Sequence, residues 1–288
     1  MKNRITNQGV ISLHCIIICT SLFLFGLTGE IRSQNPLGAA SAGMGMTGIS
    51  GSDSGWAVFN NPALMSTNEN SVSFYSMRYA GFVELTDMAA AFTLHTSYGT
   101  FGAGAHRYGF ELFSENRFLL GWKYDIERLH VGAVLTYHHI HQGGGYGSAG
   151  ALGVDFGLMA EIATVLQFGV RATNINQPAY GSSGNGNGNG APGEYLPREL
   201  AAGLTYSASE ALKISAELVK DVKFPLSFRS GVQIGLVQAL HLRGGFTTRP
   251  GTWSTGLGYA FSRFSVNIAM QQHEVLGLSP GMDLSVIF

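Results

Sequence analysis

Gly281-Met282-Asp283-Leu284-Ser285-Val286-Ile287-Phe288 closes the chain, and its alternation decides the fold. In an extended segment successive side chains point to opposite faces, so Met282, Leu284, Val286 and Phe288 share one face while Asp283 and Ser285 take the other. The preceding segment repeats the pattern: Phe264, Val266, Ile268 and Met270 alternate with Ser265, Asn267 and Gln271. Moving towards the N-terminus, the same period runs through Trp253–Tyr259, Leu212–Leu218, Leu200–Tyr206, Leu166–Val170, Leu129–Tyr137 and Phe118–Tyr124. The count is about 14 segments, beginning near residues 71, 87, 99, 116, 128, 150, 164, 198, 211, 226, 238, 252, 263 and 280. Each has roughly the 9–11 residues with which a tilted strand crosses a bilayer.

The connections carry an independent signal. Those after even-numbered segments are short, around 97–99, 126–128, 162–163, 207–210, 236–237 and 262–263. Those after odd-numbered segments are mostly longer, as at 108–115, 142–149, 176–197, 221–225 and 272–279. Short turns at one end and long loops at the other are expected of a transmembrane barrel, and a soluble sandwich has no reason for that parity. The expectation is an all-β fold: an antiparallel up-and-down barrel of about 14 strands over 71–288, with 176–197 as a flexible external loop. Its low-complexity core, GSSGNGNGNGAP (181–192), has no apolar anchor to offset the entropy of ordering.

Composition agrees. Charged residues are 12% of the chain and Gly is 40 of 288, against roughly 25% and 7% in ordinary soluble domains. A net charge of -1 gives no electrostatic case for nucleic acid as a partner. At the start, Lys2 and Arg4 precede an apolar run from Val10 to Leu27, which reads as a signal peptide over 1–33. Both cysteines, Cys15 and Cys19, lie inside it, so the mature chain is expected to have neither disulfides nor cysteine-ligated metal. Beyond residue 35 no apolar stretch reaches 18 residues, which leaves strands, not helices, to cross a bilayer.

Residues 34–70 differ from the rest. They are rich in Gly, Ala and Ser and lack sustained alternation, and they lie ahead of the first strand. A barrel of about 14 strands encloses an open lumen, and this segment is the right size to fold back as a plug. Two stretches inside it, GAASAGMG (38–45) and DSGWAVFNNPAL (53–64), resemble the N-terminal hatch of the FadL superfamily of bacterial outer-membrane barrels. With Asn174-Ile175-Asn176-Gln177-Pro178 and Leu196-Pro197-Arg198-Glu199-Leu200, they look most similar to the PorV/PorQ-like branch of Bacteroidota. The resemblance implies a 14-stranded barrel in the outer membrane, with Gly43, Gly45, Gly48, Asn61, Pro62 and Ala63 in the hatch. It also implies a role as an accessory to type IX secretion, with secreted proteins or secretion-system components as partners. The alternatives are a FadL-like channel for small hydrophobic molecules and a structural barrel with no transport role.

Individual residues sharpen these expectations. Gly43-Met44-Gly45-Met46-Thr47-Gly48 matches G-x-G-x-x-G, but no strand precedes it and no helical pattern follows, so the glycines read as turns in the plug and not as a nucleotide site. His139 and His141 share a strand face, yet no carboxylate or cysteine completes a metal shell, and we expect no metal and no cofactor. No serine sits in a setting that marks a nucleophile, which argues against an enzyme. If the apolar faces meet lipid, Glu199, Lys213, Glu217, Arg229, His241, Arg243 and Asp283 face the lumen, because Arg or Lys in the lipid face costs about 2–4 kcal/mol at mid-depth. Their mixed signs suggest a network that holds the hatch. Trp56, Trp122, Tyr124, Trp253, Tyr259 and Phe261 read as interfacial girdle residues. Met282, Leu284, Val286 and Phe288 read as the signal for the barrel-assembly machinery. Gly102, Gly104 and Gly109 mark the third strand as the place for a kink and a lateral gap.

Overall fold

The computed structural model describes residues 36–51, 54–144, 147–182 and 194–288. The expected signal peptide and most of the low-complexity run lie outside the described residues. Fourteen strands form one closed antiparallel barrel: β1 Ser71–Arg78, β2 Thr86–Thr96, β3 Gly99–Gly109, β4 Phe113–Ile126, β5 Leu129–Gln142, β6 Gly147–Ala163 and β7 Leu166–Thr173 make one half. β8 Glu199–Ser209, β9 Leu212–Asp221, β10 Ser227–Val237, β11 Leu240–Thr248, β12 Gly251–Phe261, β13 Phe264–His273 and β14 Gly277–Ile287 make the other. Each strand pairs with its sequence neighbours, and β1 pairs with β14 from Ser71↔Ile287 to Met77↔Gly281, which closes the ring. Closure leaves no strand edge with unpaired backbone groups, the condition for placing a sheet in lipid.

All six connections after even-numbered strands are two residues long (97–98, 127–128, 164–165, 210–211, 238–239 and 262–263). Two-residue hairpin turns need positive φ, and Glu127 (φ 53) and Ser262 (φ 52) adopt it without being glycine. The opposite rim carries mostly longer connections, from two residues at 249–250 up to the segment between Thr173 and Glu199. That segment starts as an irregular hairpin: Ala179 bridges to Tyr195, and Gly181–Ser182 pairs with Ala149–Gly150 of β6. Asn174 and Gln177 turn the chain with φ near 50°.

The outer face is apolar along the strands. Leu120, Trp122 and Tyr124 of β4, Leu204 and Tyr206 of β8, Leu257, Tyr259 and Phe261 of β12, and Met282 and Leu284 of β14 are all exposed. Trp122 and Tyr124 stack at 5.8 Å near the short-turn rim. Inward positions are mostly small or polar, with a few larger apolar residues such as Tyr75, Met77, Leu119 and Val134, which fits a wall whose interior is filled by another segment.

Two expectations are corrected here. Trp56 is not an interfacial residue: it is 0% exposed, inside the barrel, against Phe59 (6.2 Å) and Tyr75 (5.6 Å). β3 is not kinked either. It pairs without a register break with β2 from Gly99 to Tyr108 and with β4 from Thr100 to Gly109, so its wall has no lateral gap.

Candidate functional site

The lumen holds the hatch, residues 36–51 and 54–70. It has two short helices, α1 Ala39–Gly43 and α2 Ala57–Asn60, and two 3-10 turns, Ser54–Trp56 and Pro62–Leu64. Elements this short cannot hold themselves in water. They persist because the barrel supplies an apolar wall and fixed hydrogen-bond partners. Trp56, Val58, Phe59 and Met65 pack with Leu37 and with Tyr75, Met77, Ala89, Ala91, Leu119 and Val134 of β1, β2, β4 and β5.

The Asn60-Asn61-Pro62-Ala63 sequence is the hatch's main joint. The Asn60 amide clamps the hatch entry: its Oδ1 accepts from Leu37 N and its Nδ2 donates to Leu37 O, both at 2.8 Å. Asn61 Nδ2 donates to Ile49 O at 2.6 Å, with Leu158 O of β6 and Val170 O of β7 also in reach. Its Oδ1 caps the next turn by accepting from Ala63 N. Pro62 sits at the first position of that turn, where a missing N–H costs nothing. Ala63 is fully buried there.

Barrel side chains grip the opposite side of the hatch through its backbone. Glu217 of β9 accepts from Gly48 N (2.8 Å) and Ile49 N (2.7 Å). Asp283 of β14 accepts from Ala39 N at 2.6 Å and from Asn267 Nδ2 at 2.7 Å. Arg229 donates to Met46 O, Thr247 to Gly45 O, and Gln271 to Ala42 O, while Ser254 accepts from Gly45 N. Carboxylates accepting amides in a buried site form charge-assisted bonds, stronger than neutral ones.

Wall glycines make the grip possible. A Cβ at Gly132 would lie 2.7 Å from the Pro62 carbonyl carbon, and one at Gly43 would lie 3.0 Å from Gly256 Cα. Gly102 faces Met65 and Val58, Gly104 faces Phe59, Gly157 faces Asn61 and Pro62, Gly169 faces Ile49, and Gly231 and Gly245 face Met44. Gly45 has φ +69 and lies against the β11 backbone at Phe246, so it is excluded from carrying a side chain on both counts. The glycines that blur the β3 alternation therefore seat the hatch; they do not open the wall.

On the long-loop side of the hatch lies a buried polar relay. Tyr79 Oη donates to Asp87 Oδ2 (2.8 Å), and His106 Nε2 meets Asp87 Oδ1 (2.8 Å). Arg117 Nε donates to His106 Nδ1 (3.0 Å), which makes Nε2 the protonated ring nitrogen. The Arg117 guanidinium sits 5.9 Å above the Phe59 ring. On the short-turn side a cavity of about 380 Å³ lies between α1, residues 44–51 and the wall.

No family model and no curated protein matches the sequence. Solved structures do match. The CymD monoaromatic hydrocarbon channel superposes with a TM-score of 0.63 at 13% identity, covering 90% of this chain and 99% of that one. The Pseudomonas putida toluene transporter TodX gives 0.62 at 14%, covering 88% and 98%, and a Pseudomonas aeruginosa FadL homologue gives 0.58 at 10%, covering 87% and 98%. This is the FadL-type barrel fold.

Within the FadL-type fold the residues expected in the lumen take separate positions. Glu217, Arg229 and Asp283 reach the hatch directly. Arg243 reaches Asn267 (2.7 Å) and Gln233 (2.8 Å). Lys213 lines the short-turn cavity, and His241 lies near it, opposite Gly235 and Gly258. Glu199 sits at the long-loop end, paired with Thr173 and Asp221. Sequence reading missed Asn60, Thr247, Ser254, Gln271 and the Tyr79–Asp87–His106–Arg117 relay. Only Asn60 had a signal, its place beside Asn61; the rest are ordinary inward polar residues until their partners are known. His139 and His141 project outward, and among the described residues no group of three or more His, Cys, Asp or Glu is placed to hold a metal ion.

Proposed function

We propose that this protein is an outer-membrane channel for small hydrophobic molecules, with the 36–70 segment as its gate. The observation that carries this reading is the hatch: it occupies a 14-strand lumen, yet it is held there mainly by side-chain bonds and packing and not by strand pairing. An open pore would admit water and ions, whereas a filled lumen with a displaceable plug admits a cargo that needs no hydration shell. The hydrocarbon channels that share the fold support the reading. They support it better than a secretion accessory of PorV/PorQ type, and the secretion partners expected from the sequence resemblance are not carried further. On this reading outer-membrane lipids surround the apolar band, and the barrel-assembly machinery reads the outward Met282, Leu284, Val286 and Phe288. No catalytic role is assigned.

The test is toluene uptake by intact bacteria that carry or lack the protein. Faster uptake with the protein is the expected result, together with low ion conductance of the purified barrel in a planar bilayer. Equal uptake in both strains would remove the reading.

A further inference from the structure

The cavity on the short-turn side is not apolar, and its charge is one-sided. Lys123, Lys213 and Arg243 line it, with Gln167 and Gln233 between them and no carboxylate in its lining. The barrel register explains the clustering: Lys213 pairs with Gln233 and Gln233 with Arg243, so three neighbouring strands, β9, β10 and β11, present Lys, Gln and Arg in one row. The nearby acids are committed elsewhere. Glu217 holds the Gly48 and Ile49 amides, Asp283 holds Ala39 N and Asn267, and Asp125 pairs with Lys123 at 3.1 Å. Lys213 has no ion-pair partner among the described residues. The same lining includes apolar groups, Ala40 and Met44 of the hatch, Leu64, and Met159 of β6, together with the hydroxyls of Ser41, Thr47, Thr205 and Ser215. The volume, about 380 Å³, is that of a small-molecule site.

A positive row and apolar side chains in the lining of one pocket of this size suit a compact amphipathic anion. We propose that this vestibule binds a small organic carboxylate that reaches it from the short-turn side, its carboxylate on Lys213 and Arg243 and its apolar body against Met44, Leu64 and Met159. A ligand seated there touches the underside of the hatch, so its occupancy stabilises the plugged state by mass action. The site stands on its own and does not depend on which cargo crosses the barrel.

The experiment is calorimetric titration of the purified full chain in non-ionic detergent with benzoate, benzyl alcohol and inorganic phosphate. Benzoate is expected to bind, more weakly as salt is added. Benzyl alcohol, which keeps the ring and loses the charge, is expected to bind at least about tenfold more weakly, and so is phosphate, which keeps charge and loses the ring. Lys213→Gln should weaken benzoate by about tenfold and Lys213→Arg should largely restore it, with a heat-modifiable band on gels confirming a folded barrel in each variant. Equal binding of benzoate and benzyl alcohol, phosphate binding as tight as benzoate, or full-strength benzoate binding by Lys213→Gln would each overturn the proposal.

Discussion

Glu217 lies among the most deeply buried side chains of the barrel, and its Oε1 accepts from the Gly48 and Ile49 amides of the hatch. Glu217→Leu keeps the volume and removes the acceptor. It leaves the Gly48 and Ile49 N–H groups orphaned inside the lumen, at about 1–3 kcal/mol each. The expected outcome is faster hydrogen exchange at these two amides, with exchange in the barrel strands unchanged; unaltered protection would show that the carboxylate is not a tie. Alternation alone places Glu217 inside, since Leu218 and Ala216 flank it on the outward face. Its partners could not be read that way. They lie 168 and 169 residues earlier in the chain, and no local pattern links a strand carboxylate to a distant loop amide.

The seating of the hatch on wall glycines belongs to the strand and the segment it touches. Gly132→Val would drive a side chain into the Pro62 backbone, which cannot move aside as a flexible side chain does, at a cost of about 1–3 kcal/mol. A protease added to the folded variant is expected to clip residues 36–70 while the barrel keeps its heat-modifiable mobility; a hatch as resistant as that of the wild type would reject the seating argument. At this scale the sequence was partly legible. Strand positions followed the period of two, but β4, β6 and β14 begin three residues earlier than the apolar pattern does, at Phe113, Gly147 and Gly277. Ladder hydrogen bonds extend past the apolar band into polar ends, where the alternation of hydrophobicity fades. Glycine in a strand signals either a bend or a close approach, and nothing in β3 itself says which. The hatch helices were invisible for a different reason: at four and five residues they are below any helical period.

For the molecule as a whole, the barrel and its hatch have separable roles. A chain lacking residues 36–69 keeps every strand-to-strand pairing and loses the filling of the lumen. It should insert as a barrel and conduct ions in a planar bilayer, in steps that the intact protein does not show; a barrel without the hatch that stays silent would mean that the wall side chains close the lumen by themselves. Strand number and the parity of turns were legible because a closed ring of this kind admits one connectivity, neighbour to neighbour. What crosses the ring was not, because the contents of the lumen depend on contacts that no single strand encodes.

The seam between β1 and β14 joins the beginning of the barrel to its end, and the same last strand carries Asp283, which holds the first turn of the hatch at Ala39. Phe288 N also donates to Asn70 O, just where the hatch passes into the wall. The seam of the cylinder and a tie to its stopper thus fall to one strand. Loss of that strand would cost the ring its closure and the plug its hold at Ala39 together, so a lining that fails to shut also loses part of its bung.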